Sequence, residues 1–315
     1  MGRAQWTGKV TSETGRRQRQ DQGAWSEESG ARREERGTGL LTPRSLLLAP
    51  VQLAVIRIEH HGDVTRLQLS TWAGRSLGYT VSVYRVGDIL IDSGFPRVAS
   101  KLADWVMQAG IRGAIVTHWH EDHAGGASEF ARRGLPIDLH PETERRLRTP
   151  PPMELYRLIT WGPFRRLTSP ILQHVPNGLE ILPMPGHSPD HRVVWVPETR
   201  TLFAGDLFLG VKVRVAHDDE DFTLLLQSLR RCAALNPARM FCGHRGLVPN
   251  AASALTAKAN WIEDMIGAIA QSVAAGRSDA QIVREVMGGE ELTGRVSYGH
   301  YSRAAFVRRA QRALA

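Results

Sequence analysis

Cysteine is nearly absent: the 315 residues hold two, Cys232 and Cys242. That excludes a disulfide-stapled scaffold, and their spacing matches no thiolate metal motif, so we expect a reducing compartment and ordinary buried thiols. No apolar run reaches the roughly 18–20 residues that a membrane-crossing helix needs. The best candidate, Leu46–Ile56, is broken by Pro50 and Gln52. Met1–Gln20 is polar and lacks the apolar stretch of a secretory leader, which together with the thiols predicts a cytoplasmic protein. Lysine is scarce as well, at four of forty basic residues. The formal net charge of +8 is dispersed, with acids beside the bases and no aromatic-basic RNA motif. A small molecule, not nucleic acid or a membrane, is therefore the expected partner.

What is present divides the chain in three. Residues 1–50 are dominated by Gly, Gln, Ser, Arg and Glu, as in Gly15–Gly23 and Ser26–Gly37. Such composition cannot bury enough apolar surface to offset chain entropy, so disorder is expected. Residues 51–250 alternate strand and helix patterns. Period-two apolar runs predict strands at Leu53–Glu59, Val64–Ser70, Tyr79–Tyr84, Asp88–Asp92, Gly113–Thr117, Glu180–Pro183, His191–Val196, Thr201–Ala204 and Arg239–Cys242. Helices are predicted at Ala99–Ala109, Ser128–Gly134 and Phe222–Leu235, with 136–180 irregular apart from a short helix. Residues 251–315 read as a helical extension: Ala252–Ala274, a helix opened by Ser278 with Gln281 as capping-box partner, and Ser302–Ala315. This order suggests an α/β fold of αββα sandwich type.

The chemistry concentrates in Thr117–Gly126, straight after an apolar strand. His118 and His120 are two apart, so an extended segment aims both at one point. Asp122 continues the alternation and His123 sits one step off. Imidazole and carboxylate together suit zinc, iron or manganese. Three more donors each follow a strand-like stretch and a glycine: His187 in Pro185-Gly186-His187, Asp206 in Gly205-Asp206, and His244 in Gly243-His244.

This pattern resembles the metallo-β-lactamase superfamily, whose members carry HxHxDH followed by His, Asp and His. The resemblance covers roughly 53–250, and all seven positions are filled. It implies an αββα sandwich with the site at one edge between the sheets, and two divalent metal ions per chain, zinc first, with iron or manganese as options. By the same resemblance His118, His120 and His187 would hold one metal, Asp122, His123 and His244 the other, and Asp206 would bridge them. Two such ions turn a bridging water into a hydroxide nucleophile near neutral pH and stabilise the developing oxyanion. Asp122 would orient that nucleophile. Asp92, in Leu90–Gly94, matches the family's LIDTG-like strand end and reads either as a residue orienting a ligand loop or as a simple turn.

Subfamily features narrow the expectation. His at 120 departs from the HxExD pattern of flavo-diiron proteins, and the chain has no room for the insert of β-CASP nucleases. Phe241–His244 and the helical tail resemble glyoxalase II-type thioesterases, without their basic glutathione-holding segment. The expected substrate is a small thioester, then a lactone or other ester, then a phosphodiester. A mononuclear iron dioxygenase acting on persulfides, using His118, His187 and Asp206, is the alternative. Residues 141–175 read as a lid, with Tyr156, Trp161 and Phe164 as apolar surface and Arg157, Arg165 and Arg166 for an acidic group, or as a loop with core anchors. In the tail, His300 either faces the pocket or helps fix the last helix, for which Ser302 is the expected cap.

Overall fold

A computed structural model of the protein describes residues 54–71, 74–75, 78–172 and 178–314. The segment expected to be disordered, 1–50, lies outside them. Six strands form the first sheet in the order β1 to β6: Ala54–His61, Val64–Thr71, Val81–Val86, Ile89–Ile91, Gly113–Ile115 and Ile137–Asp138. The first four pair antiparallel, and β4, β5 and β6 run parallel. The second sheet is built from β7 (Glu180–Pro183), β8 (Arg192–Val196), β9 (Thr201–Phe203), β11 (Arg239–Cys242) and β12 (Gly246–Val248), in the order β12-β11-β9-β8-β7. A two-strand patch pairs β10 (Ala216–His217) with β13 (Tyr301–Ser302).

The period of two sorts side chains into layers. Ile89, Ile91, Val194, Val196, Phe203 and Phe241 meet in one buried cluster between the sheets. Their neighbours turn outward: Leu90 packs with Leu102, Val106 and Phe130 on the helical face of the first sheet. Val193, Trp195, Leu202 and Met240 pack with Leu225, Leu255 and Phe306 on the helical face of the second. Four layers result, helix, sheet, sheet, helix, as expected. The helices Phe222–Ala234, Ala251–Ala274 and Arg303–Arg312 all feed the outer layer, so the C-terminal helices complete the second sheet's core. Ser278 and Gln281 form the expected capping box, and Ser302 accepts the Ala305 N–H at 3.0 Å as the expected cap.

Cross-sheet bonds hold the sheets together at one edge. Tyr84 of β3 donates its hydroxyl to the Cys242 carbonyl at 2.5 Å, and Ser82 donates its N–H to the Gly243 carbonyl at 2.6 Å. From the other side, Arg192 donates to the carbonyls of Val116 and Thr117. The carboxyl ends of β4, β5, β9 and β11 gather there, the usual place for a ligand site in such sheets.

Residues 136–180 hold more structure than expected. Besides β6 they contain the helices Pro141–Arg148 and Leu155–Thr160. The first is polar apart from Pro141 and the buried Leu147, so periodicity does not announce it. A His140 cap, Pro141 at its first position, and Glu142–Arg145, Glu142–Arg146 and Glu144–Arg148 pairs support it instead. After Gly246 the chain first adds the edge strand β12 before turning helical.

Candidate metal centre

Three histidine nitrogens converge at the sheet edge. His118 Nε2 and His187 Nε2 each lie 3.0 Å from His120 Nδ1. Ligand nitrogens set at the ~2.0–2.1 Å distance of a tetrahedral zinc stand roughly 3.3 Å apart, so this spacing suits one ion. A second group joins Asp122, His123 and His244, with His244 Nε2 3.4 Å from Asp122 Oδ2. Asp206 touches both: Oδ1 is 3.3 Å from His123 Nε2, while Oδ2 is 3.3 Å from His244 Nε2 and 3.7 Å from His187 Nε2. All seven residues singled out in the sequence meet at this place, and all but His244, which is partly exposed, are buried.

Local backbone explains the contiguous set. The chain is extended only as far as His120, at ψ 145, and Glu121–Ala124 is then one helical turn. Asp122 and His123 are thus presented by that turn, not by the continued alternation expected from the sequence. For the dispersed set the turns need glycine. Gly186 has φ +135, and a Cβ there would lie 2.3 Å from the Leu225 backbone. A Cβ on Gly243 would lie 2.6 Å from His123 Cε1 and 2.7 Å from Asp206 Oδ1, so only a bare backbone fits between those side chains.

Four of the five ring nitrogens turned away from the centre have a partner that fixes the ring; the fifth, His120 Nε2, is buried without one. Asp92 is buried, adopts φ +66, and does more than turn the chain. Its Oδ2 accepts from His123 Nδ1 at 2.7 Å, and its Oδ1 accepts from the Thr117 N–H and hydroxyl at 2.8 and 2.9 Å. The Thr117 oxygen in turn lies 3.0 Å from His118 Nδ1. His187 Nδ1 donates to Glu220 Oε1 at 3.2 Å, and His244 Nδ1 to the Thr80 carbonyl at 2.6 Å. Such partners hold a metal-binding imidazole in one tautomer and orientation. His191 does the same for a carboxylate: its Nε2 accepts the Asp206 N–H at 3.1 Å while Nδ1 donates to the Met184 carbonyl. Burial, with His187 beside it, holds His191 down to about 3, so it stays neutral. Glu220 and His191 were not expected; nothing in their local sequence marks them, since their partners lie 33 and 15 residues away.

Electrostatics fit a cationic occupant. Burial and then the neighbouring rings push His118 and His120 well below the usual histidine range, leaving neutral donors. Burial alone would lower His123 and His244 too, but Asp206 and Asp122 raise both, with Asp92 adding to the rise of His123, and His244 reaches about 9. Without a cation these rings take up protons to balance the carboxylates, and a metal would displace them. His123 Nε2 and Asp206 Oδ1 are buried with no hydrogen-bond partner. A divalent ion held by these residues would remove that cost.

The centre opens into a cavity of about 810 Å³. Tyr156 and Trp161 line it, as the lid reading expects; Phe164 packs against the first sheet's helical core instead. Arg157 is not free for a substrate acid. It is buried and forms a two-pronged pair with Glu121, which ties the Leu155–Thr160 helix to the metal loop. Arg165 pairs with Glu129, and Arg166 donates to the Arg148 carbonyl. His300 sits 3.7 Å from Glu154, and the tail reaches the cavity through Ser297 and Tyr301. The two cysteines are free and buried. No helix among the described residues is long and apolar enough to cross a membrane.

Residues 78–244 match the Metallo-beta-lactamase superfamily, and the chain belongs to it. It is 29% identical over 163 residues to "Beta-lactamase-like protein 2 homolog" of Caenorhabditis elegans, covering 50% of this chain and 51% of that one. It is 28% identical over 207 residues to "Thioesterase pkgB" of Emericella nidulans, covering 58% and 53%. The chain thus spans about half the length of these relatives. A metallo-beta-lactamase family protein of Thermus thermophilus shares the fold with TM-score 0.53 at 17% identity, over 84% of this chain and 94% of that one.

Proposed function

We propose that the chain is a dinuclear metal-dependent hydrolase acting on a small thioester, with lactones and other esters next. The observation that carries this is Asp206, one carboxylate in reach of both donor groups. His118, His120 and His187 would hold one ion, Asp122, His123 and His244 the other, with Asp206 shared. Two divalent ions, zinc by the nitrogen-rich donor set, would supply water activation and polarisation of the acyl oxygen.

The chain's own residues do the rest. Asp122 stands at the cavity wall among the ligands, where it orients the attacking water. Asp92, Glu220 and His191 keep the donors aimed. The Tyr301 phenol lies near Glu220, Asp206, Tyr79 and Asp122; burial and these groups raise it, so it keeps its proton at neutral pH and can donate into the cavity. Buried free thiols accord with a cytoplasmic setting. The thioesterase name of the Emericella relative supports the choice of thioester over other esters.

Elemental analysis of the unchelated protein, followed by thioester and lactone assays, tests this. Two ions per chain, mostly zinc, with hydrolysis that a chelator abolishes, is the expected result. One iron per chain with oxygen uptake on a persulfide would replace it with the dioxygenase alternative.

A further inference from the structure

The walls of the cavity differ in character. Leu292 and Val296 are four apart on the helix Leu292–Val296, and Leu155 and Ile159 four apart on Leu155–Thr160, so each short helix shows an apolar stripe. Those stripes are not used in the core: Ile159 is 57% exposed, Leu292 74% and Val296 52%. These three line the cavity, with Leu209 and Val213 alongside. Solvent-facing apolar side chains gathered at one mouth mark a binding surface.

Charge is arranged just as unevenly. Arg157, though it lines the cavity, is spent on Glu121 and Glu154. Arg245 also lines it, is exposed, and has no carboxylate partner among the described residues. Its guanidinium rests on Gly210, where a Cβ would come within 3.3 Å of Cζ. It directly follows His244, so an anion held on it is next to the centre.

Building on the hydrolase reading, we propose the substrate class: an ester or thioester joining an apolar acyl chain to an anionic carrier. The acyl chain lies along Ile159, Leu292 and Val296, and the carrier's anion on Arg245. The cavity is far larger than an acetyl group needs and falls in the range that holds extended ligands. For a thioester, the water oxygen bonds to the acyl carbon and the C–S bond breaks. The electron pair leaves on sulfur, which takes a proton from the water, yielding a carboxylic acid and a thiol.

The test uses the metal-loaded full chain with three probes: acetyl-coenzyme A, decanoyl-coenzyme A, and S-decanoyl-N-acetylcysteamine, which carries no phosphate. Complete burial is worth roughly fourfold per methylene, so partial burial of a decanoyl chain predicts at least ~100-fold higher kcat/KM than for acetyl. The exposed double change Leu292→Ser with Val296→Ser should cut that preference about 10-fold. Arg245→Gln should lower the coenzyme A thioester about 10-fold relative to the uncharged one. Calorimetry with the non-hydrolysable thioether S-decyl-coenzyme A, on the chain with and without metal, reads the same surface without turnover and should show the same loss in Arg245→Gln. Equal rates across chain length, or an unchanged carrier ratio in Arg245→Gln, overturns the proposal while leaving the hydrolase. Arg245-dependent thioether binding without hydrolysis of any ester supports the proposed surface and overturns the hydrolase.

Discussion

One half of the centre comes from a single loop, His118 to His123, while the other comes from three turns of the second sheet, at His187, Asp206 and His244. The first half is held by a neighbouring strand end: Asp92 reaches both His123 and Thr117. The second half depends on supports from elsewhere in the fold, among them Glu220 behind His187, His191 behind Asp206 and the Thr80 carbonyl behind His244. The loop sets the spacing of its own donors within a few residues of chain, but the orientation of His123, like that of His187 and His244, rests on a partner more than 30 residues away.

Asp206 lies in reach of both donor groups, so its loss should do most. Asp206→Ala is expected to lower bound metal from two ions to at most one and hydrolysis by more than about 1,000-fold; wild-type turnover in that variant would end the shared-carboxylate reading. The supports come next and separate the halves. Asp92→Asn should weaken the ion held by His123, and Glu220→Gln the ion held by His187, each by roughly 10–100-fold in metal titration. If both weaken the same ion, the division into two donor groups is wrong. Gly243→Ala drives a methyl between His123 and Asp206 and should reduce metal affinity about 10-fold, with the far-ultraviolet circular dichroism of the wild type.

The smallest effect lies away from the centre, on the helix Ala127–Arg132 that follows the metal loop. Glu129 is held down to about 2 by hydrogen bonds from Arg132 and Arg133, against the opposing effect of burial. A depressed carboxylate stabilises the fold above its unfolded value near 4.5 and loses that contribution as the pH falls toward 2. Glu129→Gln should therefore melt below the wild type at pH 7, the two midpoints converging between pH 4.5 and 2. A gap that persists at pH 2 would mean that packing, not charge, is what the substitution removes.

Legibility in the sequence follows the same division. The seven donors stood out because donor chemistry and glycine turns are local signals. The strands stood out because a period of two needs only neighbours, and Val193 through Val196 sort to opposite faces as their order demands. Arg157 reads as a cation for a substrate's acidic group or as part of a plain loop, and Glu121 has no assigned role, yet they form a buried pair 36 residues apart. The strands β6, β10 and β13, of two residues each, exist only through their pairing, and no run that short carries a pattern.

By itself, then, the sequence determined which atoms can bind a metal, in what order they come, and which stretches alternate between faces. Those properties reside in side-chain chemistry and in the nearest few bonds of the chain. The tertiary structure alone decided which nitrogen of His123, His187 and His244 faces the centre, because a hydrogen bond to a distant acceptor sets that choice. It alone decided that Asp206 reaches both groups, that Arg157 is consumed by Glu121, and that Arg245 is left facing the cavity. Each depends on which parts of the chain the two sheets bring to the same edge.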